Sequence, residues 1–248
     1  MGVVSTDIIS KCVLLNARSL NNKLPEFHKL LSDNLSILFI TESWLTDSVT
    51  NGMLDCSHSY NIYRKDRPHK QRGGGVISLV TINLQSHSIP IPSKFDTIEI
   101  VAFCVVTSVG NFRFIVVYRP PDFNKLGRDY MCLLKDCLVY LCDTDDTVFI
   151  VGDFNLPYIN WESFDSPEDQ IHSVFLDFSL KSGFNQFVNE ATLGNNILDL
   201  VLSTDGMIVS DLYVACPFSS GDHNMVFLIY CLIQVNHFIL NHGMRTIL

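Results

Sequence analysis

The sequence predicts an α/β protein in which two mixed β-sheets pack face to face between outer helices, a sandwich of four layers. Short apolar runs bounded by turn residues recur along the chain, while amphipathic helical patterns are few. The order strand, helix, strand, then hairpins, then helix and strand, repeats loosely in the two halves. A chain of 248 residues, 47% hydrophobic and 17% charged, is long enough to bury one such core and too apolar to be disordered.

The elements follow in order. Residues 12–15 read as a short buried strand. Over 24–31, Leu24, Phe27, Leu30 and Leu31 fall at helical spacing, and Pro25 suits the first turn. Residues 37–40 form a second buried strand ending at Thr41-Glu42, and Gly73-Gly74-Gly75 leads as a flexible loop into a strand over 76–80. Strands over 98–106 and 112–118 flank a hairpin turn at 108–111. Arg119-Pro120-Pro121 stops the second of them, because proline cannot donate to a ladder. A helix is expected over 129–142, with Tyr130, Leu133, Leu134, Cys137, Leu138 and Leu141 on its apolar face. A buried strand over 148–151, a helix over 172–182 closed by Gly183, and strands over 198–202 and 225–233 complete the series. One domain is expected over 1–233, with 234–248 an unassigned C-terminal tail.

Composition excludes several classes. No stretch approaches the roughly 20 apolar residues that span a bilayer. Residues 1–7 lack the charged start and apolar core of a signal peptide, so an intracellular location is expected. The eight cysteines form no Cys-x-x-Cys pair and sit mostly in apolar runs, which favours buried free thiols over disulfides or zinc. A net charge of −9 argues against a chain that coats nucleic acid indiscriminately. It leaves room for a nuclease with a local basic patch. Residues 64–72 hold five of the 17 Lys and Arg, and read either as a solvated loop or as a phosphate-contacting one.

The chemistry concentrates where apolar runs end. Gly152-Asp153-Phe154-Asn155 follows the apolar run 147–151, and residues i and i+2 of an extended chain point the same way, so both side chains can face one pocket. Asn16, Glu42, Tyr118, Asp199 and Asp222-His223 stand at five other such exits. Taken singly, Asn16 and Asp222-His223 also read as turn residues and Glu42 as a cap. Asp199, between Leu198 and Leu200, needs a partner wherever it is buried. Carboxylates, amides and one histidine at six strand ends point to a divalent-metal phosphoesterase.

Seven segments, in order, carry a resemblance: Leu15-Asn16-Ala17-Arg18-Ser19-Leu20, Thr41-Glu42-Ser43-Trp44-Leu45, Arg72-Gly73-Gly74-Gly75-Val76, Val117-Tyr118-Arg119-Pro120-Pro121, Gly152-Asp153-Phe154-Asn155, Ile197-Leu198-Asp199-Leu200-Val201-Leu202 and Gly221-Asp222-His223-Asn224. The chain resembles the endonuclease/exonuclease/phosphatase superfamily over about residues 13–233, in particular the apurinic-type endonuclease of non-LTR retrotransposons. The resemblance implies a DNase-I-like sandwich and a DNA endonuclease that nicks one strand to leave a 3′-hydroxyl. It implies that Glu42, Asn16 and Asp222 hold Mg²⁺ or Mn²⁺ through oxygen ligands. Asp153 would orient or deprotonate the attacking water, and Asn155 would hold water or a phosphate oxygen. His223, held by Asp199, would donate to the phosphoryl oxygens, with Tyr118 a further phosphate contact. Arg119, with Arg67, Lys70 and Arg72 of the basic stretch, would touch the DNA backbone.

The same family also admits a phosphatase or phosphodiesterase acting on a small or lipid phosphate, and a catalytically decayed copy. Two positions depart from the pattern: Arg18 stands where some cellular repair endonucleases carry an acidic group, and Gly221 where relatives commonly carry serine. Nothing after residue 233 resembles the reverse transcriptase that follows this domain in a complete element, so an isolated or truncated copy is expected, nuclear if functional.

Overall fold

The computed structural model describes residues 8–67, 73–121 and 127–232. Its described strands form two six-stranded sheets. The first sheet holds β1 (Ile8–Asn16), β2 (Ile37–Thr41), β3 (Tyr60–Lys65) and β4 (Val76–Thr81), joined by two strands from the far end of the chain, β11 (Val209–Pro217) and β12 (Asn224–Leu232). Their spatial order is β11-β12-β1-β2-β4-β3. The second holds β5 (Ser86–Ser88), β6 (Glu99–Thr107), β7 (Gly110–Tyr118), β8 (Thr147–Asp153), β9 (Asn185–Gln186) and β10 (Asp199–Ser203), in the order β5-β6-β7-β8-β10-β9. Each sheet has one parallel pair at its centre, β1 with β2 and β7 with β8, and the other pairings are antiparallel. A helix bridges each parallel pair, α1 (Leu24–Leu31) in the first sheet and α3 (Gly127–Cys142) in the second, as a parallel crossover requires. Two further α-helices, α2 (Asn51–Leu54) and α4 (His172–Lys181), and one short 3₁₀ helix, Ser93–Phe95, complete the described set.

Side-chain parity builds the layers. Ile37 and Phe39 of β2 join Phe149 and Val151 of β8 in the core between the sheets. Leu38 and Ile40 turn the other way onto Phe27 and Leu30 of α1. Val148 and Ile150 turn onto Leu134, Leu138, Phe175 and Phe178 of α3 and α4. Central strands buried on both faces explain why these runs read as continuously apolar rather than alternating. Phe39, Phe103, Phe114 and Phe149 form a row of rings across the inter-sheet core, with Phe114 and Phe149 centred 4.9 Å apart.

The expected four-layer sandwich is observed, and the expected helices and central strands lie within one or two residues of their sequence limits, except that β1 starts four residues earlier, at Ile8. The exceptions are edge or two-residue strands. The polar β3, the short β5 and β9, and β11 with Pro217 each lie outside the sheet centres, where burial imposes little hydrophobic pattern. Arg64 and Lys65, expected in a loop, end β3. Gly73, Gly74 and Gly75 form a packed turn rather than a flexible loop. All three have left-handed φ, and a β-carbon on Gly74 would overlap Arg67 and Glu99. Among the described cysteines none is disulfide-bonded; Cys12, Cys104 and Cys137 are buried, whereas Cys56 and Cys216 are exposed. No helix among the described residues is long and apolar enough to cross a membrane. The tail, 234–248, lies outside the described residues.

Candidate functional site

The parity that fills the core also fixes where its polar end forms. Cys12 and Leu14 face the inter-sheet core, so Asn16, the last residue of β1, faces it too. The same count places Tyr118 at the end of β7, Asp153 at the end of β8 and Asp199 at the start of β10 on the inward face. Tyr118 pairs with Asp153 and Asp153 with Asp199, so the three form a row across adjacent strands. Asn16 closes the gap between the sheets, donating from Nδ2 to Asp153 Oδ2 at 2.9 Å. The site is thus the polar end of the hydrophobic core.

Asp199 finds the partner its burial demands. Its Oδ2 meets His223 Nδ1 at 2.7 Å, and both residues are buried. Thr192 Oγ1 accepts from the backbone N–H groups of Leu198 and Asp199, and the Thr192 carbonyl accepts from Asn224 N–H, which ties both partners to one turn. Burial alone would lower the His223 pKa, but the hydrogen bond and charge of Asp199, aided by Asp153 and Asp222, raise it to about 9. Burial, and then the Asp199 charge, push the Asp153 carboxyl well above the usual carboxylate range. His223 Nδ1–H therefore donates to Asp199 in the protonated imidazolium, leaving Nε2–H for a ligand.

The linkage has a definite sign. A histidine whose folded pKa rises from 6.5 to about 9 stabilises the fold fully below pH 6.5 and loses that contribution as pH climbs through 9. The wild-type melting temperature is expected to fall between pH 6.5 and 9 by more than that of His223→Ala, the difference amounting to at most about 3 kcal/mol. Parallel thermal curves for the two proteins across that range would refute the pairing.

Glu42 lies just past β2 with φ 51°, in a turn whose neighbours Arg18, Ser19 and Trp44 also have left-handed φ. Non-glycine residues in that region are costly and concentrate where backbone geometry serves a site. Its carboxylate accepts from Tyr118 Oη and Trp44 Nε1. The turn is held from below: Ser43 N–H and Trp44 N–H donate to the carbonyls of Gly75 and Gly74. Gly75 N–H in turn donates to the buried Glu99, which also receives Arg67. Glu99 and Thr192 are supporting residues that sequence reasoning missed. Glu99 begins an otherwise apolar strand, which was its only signal; Thr192 had none.

Several expectations are corrected. Asn155 does not follow the i, i+2 rule from Asp153, because the strand ends and Asn155 has φ 48°. Its N–H caps Asp153 Oδ1 at 3.1 Å, while its side-chain Nδ2 donates to the Arg119 carbonyl at 2.7 Å. Arg119 is buried and donates inward to the carbonyls of Phe154 and Asn155, so it braces this loop and does not present its guanidinium to a backbone phosphate. Arg67 is bound to Glu99, with its guanidinium carbon 5.8 Å from the Tyr118 ring centroid. Lys70 and Arg72 lie outside the described residues. Asp222 does not join the buried carboxylates: it is half-exposed and pairs with Arg18. The arginine two places after Asn16 thus neutralises the acid expected beside Glu42.

Arg18, half-exposed and paired with Asp222 next to His223, is thus a basic residue beside the site that reaches solvent. Arg18→Ala is expected to flatten the slope of log K against log salt for DNA binding by about one. An unchanged slope would show that Arg18 touches no phosphate.

The donor set suits a hard divalent cation. Ligand atoms of Asp153, Asp199 and His223 lie within 4.8 Å of one another, and buried Asp199 Oδ1 has no hydrogen-bond partner among the described residues. A protonated His223 offers no lone pair, so the ligands such an ion would find here are oxygens, which selects against zinc. Among the described residues Asn16 Oδ1 accepts only from Arg18 N–H, which leaves a second lone pair. A larger cleft of about 820 Å³ lies at the opposite end of the first sheet, between Leu31 and Thr81, and shares none of these groups.

The sandwich and the residues at its polar end are those expected from the resemblance to the endonuclease/exonuclease/phosphatase superfamily. Residues 112–227 match the family model described as "Endonuclease-reverse transcriptase". In structure the chain is similar to the endonuclease domain of TRAS1, a telomere-specific non-LTR retrotransposon, at 13% identity and a TM-score of 0.67, covering 91% of this chain and 99% of that one. It is similar to the 3′ phosphatase NExo from Neisseria bound to product DNA hairpin, at 18% identity and a TM-score of 0.67, covering 89% and 99%. It is also similar to the AP endonuclease LMAP from Leishmania major, at 10% identity and a TM-score of 0.71, covering 90% and 88%. At these identities the likeness shows the fold. A comparison with curated proteins finds no match.

Proposed function

We propose that the chain is a divalent-metal-dependent DNA endonuclease that hydrolyses one phosphodiester bond of a duplex and leaves a 3′-hydroxyl end, with residues 1–233 as its endonuclease domain. The observation that carries this reading is the Asn16–Asp153 bond between the sheets, which sets the acid–amide pair beside the Asp199–His223 dyad in one buried row. Asp153, whose carboxyl takes a proton more readily than an ordinary carboxylate, accepts the proton of the attacking water. His223 donates from Nε2 to a non-bridging phosphoryl oxygen as charge builds there. Tyr118, kept protonated by burial and by Glu42, gives its one hydroxyl proton to that carboxylate and would contact the phosphate only on turning away from it. Glu42 and Asn16 would hold a divalent cation, which would supply positive charge to polarise the phosphate. Similarity to a retrotransposon endonuclease domain favours duplex DNA in the nucleus as the target, with a reverse transcriptase as the partner in the parent element.

Supercoiled plasmid incubated with the protein and Mg²⁺ is expected to give open circles, and EDTA is expected to abolish the conversion. Nicking that survives EDTA would sink the metal requirement. Hydrolysis of an inositol phosphate with no nicking of DNA would favour the small-phosphate alternative.

A further inference from the structure

The cleft of about 820 Å³ at the far end of the first sheet has a chemistry of its own. Ser36, just before β2, lines it, and Glu42 stands six residues further on, about 20 Å along an extended strand. Its volume falls within the roughly 300–1,000 Å³ of clefts that enclose a small molecule. Buried Leu35, Leu54 and Leu84 give it an apolar floor. Met53 and Ile82, each next in the chain to a lining residue, are exposed and add apolar surface at the mouth.

The charge in this cleft is one-sided. Its lining has no lysine or arginine. His28 Nε2 meets the Met53 carbonyl at 3.0 Å, so it donates there, and the neutral ring keeps Nδ1 as an acceptor. Helix α1 ends at the cleft with Leu31 and Ser32, which brings its partly negative carbonyl end to the wall. Asp55, only 3% exposed, carries the one carboxylate of the lining. It accepts from Ser57 N–H, Ser57 Oγ and Tyr60 N–H, all neutral donors, and no cationic group among the described residues pairs with it. Three donors leave one of its roughly four acceptor sites open. Buried charges are as a rule paired, so this carboxylate calls for a counter-charge. Burial, and then the Asp55 charge, raise the pKa of Tyr60, so the field of the carboxylate reaches the adjoining wall. That wall is fixed: Tyr60 Oη donates to the Leu35 carbonyl at 3.1 Å, which ties the start of β3 to the loop after α1.

We propose that this cleft binds a small organic amine, whose ammonium group pairs with Asp55 and whose carbon stem lies on the leucine floor. A bare metal ion would leave the floor unused, and a neutral apolar ligand would leave the carboxylate uncompensated. The proposal is independent of the endonuclease reading, with which it shares no residue.

Hexylamine and hexanol, which differ in charge and not in length, are titrated into the intact chain at about pH 8, where an alkylamine remains protonated. Saturable broadening of the ligand NMR signals reports binding to the wild type, Asp55→Asn and Cys56→Trp. Cys56 is exposed in the lining, so a tryptophan there fills the cleft without entering the core. The wild type is expected to bind hexylamine about tenfold more tightly than hexanol. Asp55→Asn is expected to remove that difference and leave hexanol binding unchanged, and Cys56→Trp to abolish binding of both.

Equal affinity for the two ligands in the wild type overturns the proposal and confines Asp55 to its turn. So does the absence of saturable binding, a preference for hexylamine that Asp55→Asn keeps, or hexylamine binding that Cys56→Trp leaves intact. If Asp55→Asn does not fold, the wild-type comparison and Cys56→Trp still decide. Nα-acetyllysine methylamide bound more tightly than hexylamine would assign the ammonium to the side chain of a protein partner and overturn the small-molecule assignment.

Discussion

His223→Ala and Asp153→Ala are each expected to lower the rate of plasmid nicking at pH 7 by a factor on the order of 10²–10⁴. The two side chains act at different moments of one step. His223 is a cation because Asp199 is buried with no other cationic partner, so its Nε2–H is ready before charge develops on the phosphate. Asp153 is the residue that both sheets grip, through Asn16 Nδ2 on one side and Asn155 N–H on the other. Because they belong to one unit, the double variant is expected to lose little more than the worse single variant. Rates are measured on protein whose far-ultraviolet circular dichroism matches the wild type. Activity within threefold of wild type in either single variant would remove that residue from the chemistry.

Gly152→Ala is expected to destabilise the fold by about 4 kcal/mol, the sum of roughly 1–3 kcal/mol for backbone strain and roughly 1–3 kcal/mol for overlap. Gly152 has φ 142°, which glycine alone adopts freely. It pairs with Val117 across the parallel strands, and an added β-carbon would run into the Val117 carbonyl oxygen. Denaturant unfolding measures the change, and a midpoint equal to that of the wild type would refute it. The close approach has a use: it brings the ends of β7 and β8 together one residue before Tyr118 and Asp153, the next pair in the row.

The sheet centres and the strand-end residues were legible because burial on both faces leaves a continuous apolar run, and a polar residue ending that run stands out. A carboxylate inside an apolar strand requires a partner, so Asp199 stood out in advance, while the family resemblance supplied His223 as that partner. Edge strands such as β3 and β11 were not legible: one ladder side and a partly wet face leave polar, mixed sequences there. The pairing of Arg18 with Asp222 was equally hidden, because 204 residues separate two side chains that only the β1–β12 pairing brings together. Asn155 and Arg119 failed for a local reason. Past the last ladder pair the chain turns, and extended-strand parity no longer says where a side chain goes.

One consequence concerns the order in which the molecule is made. The imidazole stands at the entrance to β12, and β12 sits between β11 and β1, so the last described strand of the chain completes the sheet that the first one began. A nascent chain still lacking those final residues has the acids but neither the charged ring nor a closed sheet. Any cutting power would therefore switch on only after β12 has left the ribosome.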